Sequence, residues 1–92
     1  MPDTIRLSGF SQQSFAISST GAQSAMLESG FYDVWADIDC YAKVGGTASN
    51  VTTSTGYLML ANNVTPLLVD AGEKIGAITS GTSGTLRYHR VG

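Results

Sequence analysis

The sequence predicts an all-β protein: a small two-sheet β-sandwich, jelly-roll-like, with seven or eight short antiparallel strands. First, every second residue from Tyr32 to Val44 is apolar, while acids and aromatics fill most positions between them. On a strand, such alternation places one set of side chains in the core and the other outside. Second, turn residues recur about every eight to twelve positions, the spacing of a sandwich or barrel. Third, no segment has a convincing helical period.

The chain is predicted to form one domain with an N-terminal extension. Residues 1–10 are expected to be an arm or an edge strand, because Ile5 and Leu7 alternate with polar neighbours over only a short stretch. The β-sandwich domain then covers residues 11–92. A chain of 92 residues suits a single domain of this kind.

Three strands are predicted in the first half of the sandwich. A short strand contains Phe15 and Ile17, and a second covers residues 22–27. The alternating segment at 31–44 is the third. A straight strand of that length would span ~45 Å, which is too long for one small sandwich. We therefore expect a bend near Asp37, with the two halves able to serve different sheets.

The second half is predicted to hold a long loop and four more strands. These are the loop at 45–56 and strands at 57–61, 64–69, 74–78 and 85–91. The loop contains little that could be buried. The strand after it is nearly all apolar, so we expect it to be covered on both faces. Pro66 cannot donate to a ladder and marks an edge or a strand start. Gly76 allows a bulge or close packing, and Leu86 and Tyr88 share one face of the last strand.

The single cysteine bears on whether the sandwich is an immunoglobulin fold or a jelly roll. Cys40 is the only cysteine, so an internal disulfide is impossible and the Cys…Trp…Cys spacing of an immunoglobulin domain is absent. A jelly roll is therefore favoured over an immunoglobulin fold. Cys40 belongs to the apolar set of its strand, where a free cysteine acts as a small core hydrophobe.

Composition restricts the kinds of partner. Charged residues make up 13% of the chain, about half of the usual ~25%, and the net charge is −2. The one local basic cluster is Arg87, His89 and Arg90, which is too little to neutralise several phosphates. No apolar run approaches the ~20 residues of a spanning helix, and Met-Pro-Asp-Thr does not resemble a secretory leader. We expect a protein made in a cytoplasm, with neither nucleic acid nor membrane as its partner.

The aspartates and the histidine are the candidates for a metal site or a catalytic site. Asp33, Asp37 and Asp39 are predicted to share a strand face, where the last two could hold a cation through oxygen ligands. A solvated acidic face explains the same pattern, so no metal or other cofactor is predicted. His89 is expected on the surface, and no Gly-x-Ser-x-Gly elbow accompanies it. We predict no catalytic residues and no enzymatic activity.

Aromatic and arginine side chains are the candidate contacts for a partner. Trp35 and Tyr41 lie opposite the apolar stripe, and Arg87 and Arg90 belong to the one local basic cluster, in the last predicted strand. Trp, Tyr and Arg are enriched at interface hot spots, so these residues are predicted to anchor another protein. Alternatively, a strand that crosses between sheets packs both faces, which would leave Trp35 in a second cluster. A carbohydrate platform would also use exposed aromatics beside acids and amides.

Residues 30–92 resemble a recurrent kind of small β protein found in tailed bacteriophages and prophages. The resemblance rests on the run Gly30-Phe31-Tyr32-x-Val34-Trp35-Ala36-Asp37-x-Asp39-Cys40 with its glycine stop, the polar Thr-Ala-Ser…Thr-Thr-Ser loop, the Leu58-x-Leu60 strand, the Val69-x-Ala71-Gly72-x-Lys74-Ile75-x-Ala77-Ile78 hairpin and the terminal Gly84-Thr85-Leu86 strand. These motifs are structural, so they carry over no catalytic residue.

The resemblance implies a structural virion protein, above all a capsid decoration (cement) protein that bridges major capsid protein subunits on the capsid surface. Such proteins often extend an N-terminal arm onto neighbours, which makes Ile5 and Leu7 interface candidates. A domain of this size gains order by docking or by oligomerising, so a homo-dimer or trimer is expected. The alternatives are a phage neck, tail or fibre component, or a carbohydrate-binding module that attaches particles to a cell.

Overall fold

The computed structural model describes residues 12–92, which form eight β-strands and one short 3₁₀ turn, Ala48–Asn50. The strands are β1 (Gln13–Ile17), β2 (Ala22–Gln23), β3 (Gly30–Ala36), β4 (Cys40–Gly45), β5 (Tyr57–Met59), β6 (Thr65–Val69), β7 (Lys74–Ile78) and β8 (Gly84–Arg90). The arm expected at residues 1–10, with Ile5 and Leu7, lies outside the described residues, and that expectation stays a prediction.

The strands form two four-stranded antiparallel sheets. The front sheet has the order β1-β8-β3-β6, and the back sheet has the order β2-β7-β4-β5. The first strand pairs with the last, the second with the seventh, the third with the sixth and the fourth with the fifth. This is the pairing of one long hairpin that has been rolled up, which defines a jelly roll. The predicted fold class is confirmed.

The alternating segment is two strands that serve different sheets. β3 ends at Ala36 in the front sheet, and β4 begins at Cys40 in the back sheet, so the expected bend near Asp37 is confirmed. The crossover is held by its two acids. Asp37 Oδ1 accepts the backbone N–H of Thr85 at 2.8 Å, and Asp39 Oδ1 accepts that of Ala61 at 2.8 Å. These acids therefore tie the crossover to the start of β8 and to the end of β5.

The core lies between the sheets and uses the apolar half of the alternating pattern. Its buried members are Ile17, Tyr32, Val34, Ala36, Cys40, Ala42, Met59, Val69, Ile75, Ala77, Leu86 and Tyr88. Leu86 and Tyr88 share the inner face of β8, as predicted. Cys40 is fully buried, and this burial, with a smaller contribution from the charge of Asp39, raises the pKa of its thiol to about 11. The cysteine is a core hydrophobe, as expected.

The buried tyrosines of the front sheet place their hydroxyls on polar partners. The rings of Tyr32 and Tyr88 lie 6.3 Å apart at a tilt of 55°. The Tyr32 hydroxyl donates to the carbonyl oxygen of Glu28 at 2.9 Å. Burial raises the pKa of Tyr88, while its hydrogen bond with Ser24 acts in the opposite direction. Large rings thus fill the core without leaving these hydroxyls unsatisfied.

The second strand is shorter than the predicted 22–27, because a serine side chain interrupts its ladder. The backbone N–H of Ser24 still bonds the carbonyl of Ile75 at 2.8 Å. The N–H of Ile75, however, donates to the Ser24 hydroxyl at 3.0 Å instead of to a backbone carbonyl. A hydroxyl that replaces a ladder acceptor ends regular pairing, so β2 stops at Gln23.

The long loop buries more than its composition suggested. Ala48 and Val51 are buried, and the expectation that the loop had little to bury was wrong. Its 3₁₀ turn packs on β7 of the back sheet, where a Cβ on Gly76 would overlap the carbonyl oxygen of Ala48. The close packing predicted at Gly76 is confirmed. The small side chain of Ala48 is enough to fill this contact, because the backbones of the loop and of β7 approach each other closely at Gly76.

The apolar segment 57–61 is an edge and is not covered on both faces as expected. β5 pairs only with β4, within the described residues. Tyr57 is 67% exposed, Leu58 48% and Leu60 50%, while Met59 is buried. A continuous apolar run does not distinguish a central strand from an edge that meets a partner. Pro66, by contrast, lies on edge strand β6, in agreement with its prediction.

Candidate interaction surface

The outer side of the front sheet brings together side chains that are far apart in the sequence. In the ladder between β3 and β8, Trp35 lies opposite Arg87, and Asp33 lies opposite His89. On the other side of β8, Ser14 pairs with Arg87. Inward residues alternate with these positions on both strands. We call the outer set of Asp33, Trp35, Arg87 and His89 the front face.

The front face combines a large ring with charges of both signs. All four side chains are half-buried, so their neighbours hold them in place while part of each reaches solvent. Trp and Arg are the residue types most enriched at interface hot spots. Half-buried side chains lose less conformational entropy on binding than fully exposed ones, so this face is suited to contact another macromolecule.

His89 is less exposed than the sequence predicted. The residue is half-buried, and its Nε2 is buried without a hydrogen-bond partner among the described residues. Its place on β8 opposite Asp33 explains the difference, because the neighbouring strand β3 covers one side of it. Cys40 points into the core from the back sheet, so the thiol and the imidazole lie on opposite sides of the front sheet.

Two of the predicted contact residues lie elsewhere. Arg90 is the last residue of β8 and alternates with the front-face residues Arg87 and His89. Its Nη1 donates to Glu28 Oε1 at 3.2 Å, and its Nε donates to the carbonyl oxygen of Gly92 at 3.3 Å. Tyr41 is on the outer side of the back sheet and is covered by the long loop, since a Cβ on Gly56 would lie 2.7 Å from the Tyr41 Cβ. Of the four predicted contact residues in the described chain, Trp35 and Arg87 are ladder partners on the front face, and the predicted partner contacts of Tyr41 and Arg90 stay predictions.

The acidic residues do not share one face. Asp33 lies on the front face, whereas Asp37 and Asp39 belong to the crossover and accept backbone N–H groups. Within residues 12–92, no group of three His, Cys, Asp or Glu side chains is placed to hold a metal ion. The common face was not formed because β3 ends at Ala36, where the chain leaves the front sheet, and Asp37 and Asp39 follow that end.

Sequence reasoning missed a cleft beside strands β5 and β6, which are edges of their sheets among the described strands. The cleft has a volume of about 230 Å³ and is lined by Tyr57 and Met59 from β5, by Leu67 from β6 and by Lys43 from β4. The signal was present in the sequence, because both segments carry apolar residues at odd and even positions alike. That pattern fits a doubly covered strand equally well.

The fold and this surface define the class of the protein as a jelly-roll domain, with eight strands in residues 12–92 and an aromatic and charged sheet face. No family model, curated protein or solved structure matches the chain. Among the described residues, no helix is long and apolar enough to cross a membrane.

Proposed function

We propose that the protein is a structural, non-enzymatic component of a tailed-phage virion that decorates the capsid and stabilises it by bridging major capsid protein subunits. It would be made in the bacterial cytoplasm and located on the capsid surface. The resemblance of residues 30–92 to small phage β proteins suggests this role. The observation that carries it is the pairing of Trp35 with Arg87 on the front face.

The front face has the features that lasting contact with a protein lattice requires. It lies on β3 and β8, the two central strands of its sheet, so the backbone beneath it is held on both sides. Trp35 and Arg87 are ladder partners on these strands, so a partner surface can contact both residues at once. The low charge of the chain keeps the cost of removing water from its surface small.

Such binding stabilises a shell by mass action. A subunit that binds the assembled lattice, and not free capsid protein, lowers the free energy of the assembled state alone. At a free concentration about 100 times its dissociation constant, each bound site contributes about 2.7 kcal/mol. Summed over many seams, this is a large resistance to the pressure of packaged DNA.

Co-sedimentation with empty, expanded capsids tests the proposal. We expect saturable binding in a fixed ratio to capsid protein at roughly micromolar concentration. Arg87→Glu and Trp35→Ala should each weaken binding at least about tenfold, because both remove a central contact. Lys74→Ala is the matched control, since it removes one positive charge from the back sheet. Circular dichroism checks that each variant is folded.

Two results would overturn the proposal. One is the absence of binding to capsids at any practical concentration, which would favour a neck, tail or fibre location if the protein bound those parts instead. The other is binding that Arg87→Glu and Lys74→Ala weaken equally, because the front face would then not be the contact.

A carbohydrate-binding attachment module is the second candidate function. The observation that favours it is the half-exposed Trp35 ring, with Asp33 and Arg87 on the same face. Sugars stack on such rings while neighbouring polar groups bind their hydroxyls. A glycan array would show a defined hit that Trp35→Ala abolishes, and an array without hits would remove this candidate.

A further inference from the structure

We propose that the second half of β4 binds an extended segment of another protein, which adds to the back sheet as one more strand. The segment places one apolar side chain in the cleft beside β5 and β6, and an acidic side chain opposite Lys43. This surface belongs to the back sheet, so the inference does not depend on the function proposed for the front face.

The second half of β4 has a neighbouring strand on one side only. Lys43, Val44 and Gly45 pair with β7, whereas the pairing with β5 covers only Cys40 to Ala42. Among the described strands, none lies on the other side of these three residues, which we call the open edge. The free backbone groups of such an edge are a template for an added strand.

The loop that leads into β5 does not close the open edge. A Cβ on Gly56 would lie 2.7 Å from the Cβ of Tyr41, so the chain approaches β5 over the outer side of β4. No hydrogen bond joins residues 52–56 to the backbone of Lys43 or Val44. The place that a longer β5 would occupy is therefore open to another strand.

The cleft lies beside the open edge and can receive one side chain of the added strand. Its apolar lining consists of Ala42 and Val44 from β4, Tyr57 and Met59 from β5, and Leu67 from β6. Its volume is about 230 Å³, whereas an apolar cavity of about 150 Å³ already holds a benzene molecule. The cleft therefore has room for a leucine or phenylalanine side chain. When a peptide adds to a sheet, the backbone bonds supply affinity and such pockets supply specificity.

Lys43 determines the charge that the added strand should carry. Side chains of β4 alternate between the core and the outer side, so a residue paired with Val44 faces the cleft and one paired with Lys43 faces outward. The Lys43 Nζ donates to the neutral Asn50 Oδ1 at 2.8 Å, and no carboxylate of the described residues pairs with it. Opposite charges directly across a strand pair are stabilising. The occupant is thus an extended segment in which an acidic and an apolar residue are adjacent.

Titration of the full chain with the peptide acetyl-Ser-Thr-Glu-Leu-Thr-Thr-Ser-amide, followed by nuclear magnetic resonance, tests the inference. We expect saturable shifts of the amide signals of Lys43, Val44 and Tyr57, with a dissociation constant on the order of 100 µM. Serine in place of the leucine of the peptide should raise that constant at least about tenfold, because the cleft then buries no apolar side chain.

A charge exchange tests the contact with Lys43. Lys43→Glu should raise the dissociation constant at least about threefold, and a peptide with lysine in place of its glutamate should restore binding to that variant. Ser14→Glu adds a negative charge at an exposed position of β1 in the front sheet. It is the control and should leave the constant unchanged. The spectrum of each variant shows whether the variant is folded.

Several results would overturn the inference. They are the absence of shifts at up to about 5 mM peptide, equal binding of the serine peptide, shifts confined to other parts of the chain, and equal weakening by Lys43→Glu and Ser14→Glu. Shifts that depend on the concentration of the chain alone would assign the open edge to a second copy. Nuclear Overhauser contacts of β4 with residues 1–11 would assign it to that segment, and either assignment would exclude the proposed partner. No capsid is present, so the outcome is separate from that of the proposed function.

Discussion

Asp37 and Asp39 show how the same residue type can indicate a site in the sequence and serve the fold in the structure. Each carboxylate accepts a backbone N–H at 2.8 Å, one from Thr85 and one from Ala61. A carboxylate makes a stronger acceptor than a neutral oxygen. The two acids therefore hold the point where the chain passes from the front to the back sheet.

We predict that Asp37→Ala and Asp39→Ala each lower the free energy of unfolding by about 1–2 kcal/mol, because each leaves a backbone donor without its acceptor. Urea denaturation measures the change. Asp70→Ala, at an exposed turn, is the control and should change the value by less than about 0.5 kcal/mol. An equal decrease in the free energy of unfolding for all three variants would contradict the prediction that the hydrogen bonds of Asp37 and Asp39 stabilise the crossover.

The buried thiol makes stability depend on alkaline pH. The pKa of Cys40 rises from 9.0 to about 11 on burial, so between these values the unfolded chain has lost a proton that the folded chain retains. The free energy of unfolding is therefore expected to fall as pH rises from 9 to 11, by up to ~1.4 kcal/mol per pH unit. Denaturation of wild type and Cys40→Ala across this range measures the difference. A slope that the substitution leaves unchanged would contradict the prediction.

At the scale of elements, the packing of the long loop against the back sheet depends on Gly76. A Cβ on Gly76 would overlap the carbonyl oxygen of Ala48, whereas no described atom lies within 4 Å of a Cβ on Gly45. Both glycines are in the back sheet, and they differ in what covers them. Substituting Gly45 and Gly76 in turn therefore distinguishes the effect of close packing from the general effect of replacing a glycine in a strand.

We predict that Gly76→Ala lowers the free energy of unfolding by about 1–3 kcal/mol, because the loop must move to admit a methyl group. Gly45→Ala should be neutral or slightly stabilising. Urea denaturation measures stability, and limited proteolysis within residues 46–56 measures loosening of the loop. Faster cleavage in the Gly45 variant than in the Gly76 variant would contradict the packing described here.

At the scale of the whole molecule, the jelly-roll topology gives the two sheets separate outer faces. The front face lies on β3 and β8, whereas Lys74 lies on β7 of the back sheet. A contact through the front face therefore leaves the back sheet outside it, and this is why Lys74→Ala is the control for Arg87→Glu in the capsid-binding experiment.

The sequence by itself determined the class of fold and the core of β3 and β4. Alternation from Tyr32 to Val44 and the excessive length of that segment predicted strands, a buried face and a bend, because these properties depend on neighbouring residues. Only the tertiary structure decided that Trp35 is the ladder partner of Arg87, that Ala48 is buried on Gly76 and that β5 is an edge among the described strands. These facts depend on which distant strands pair and what covers them, and local periodicity carries no information about either.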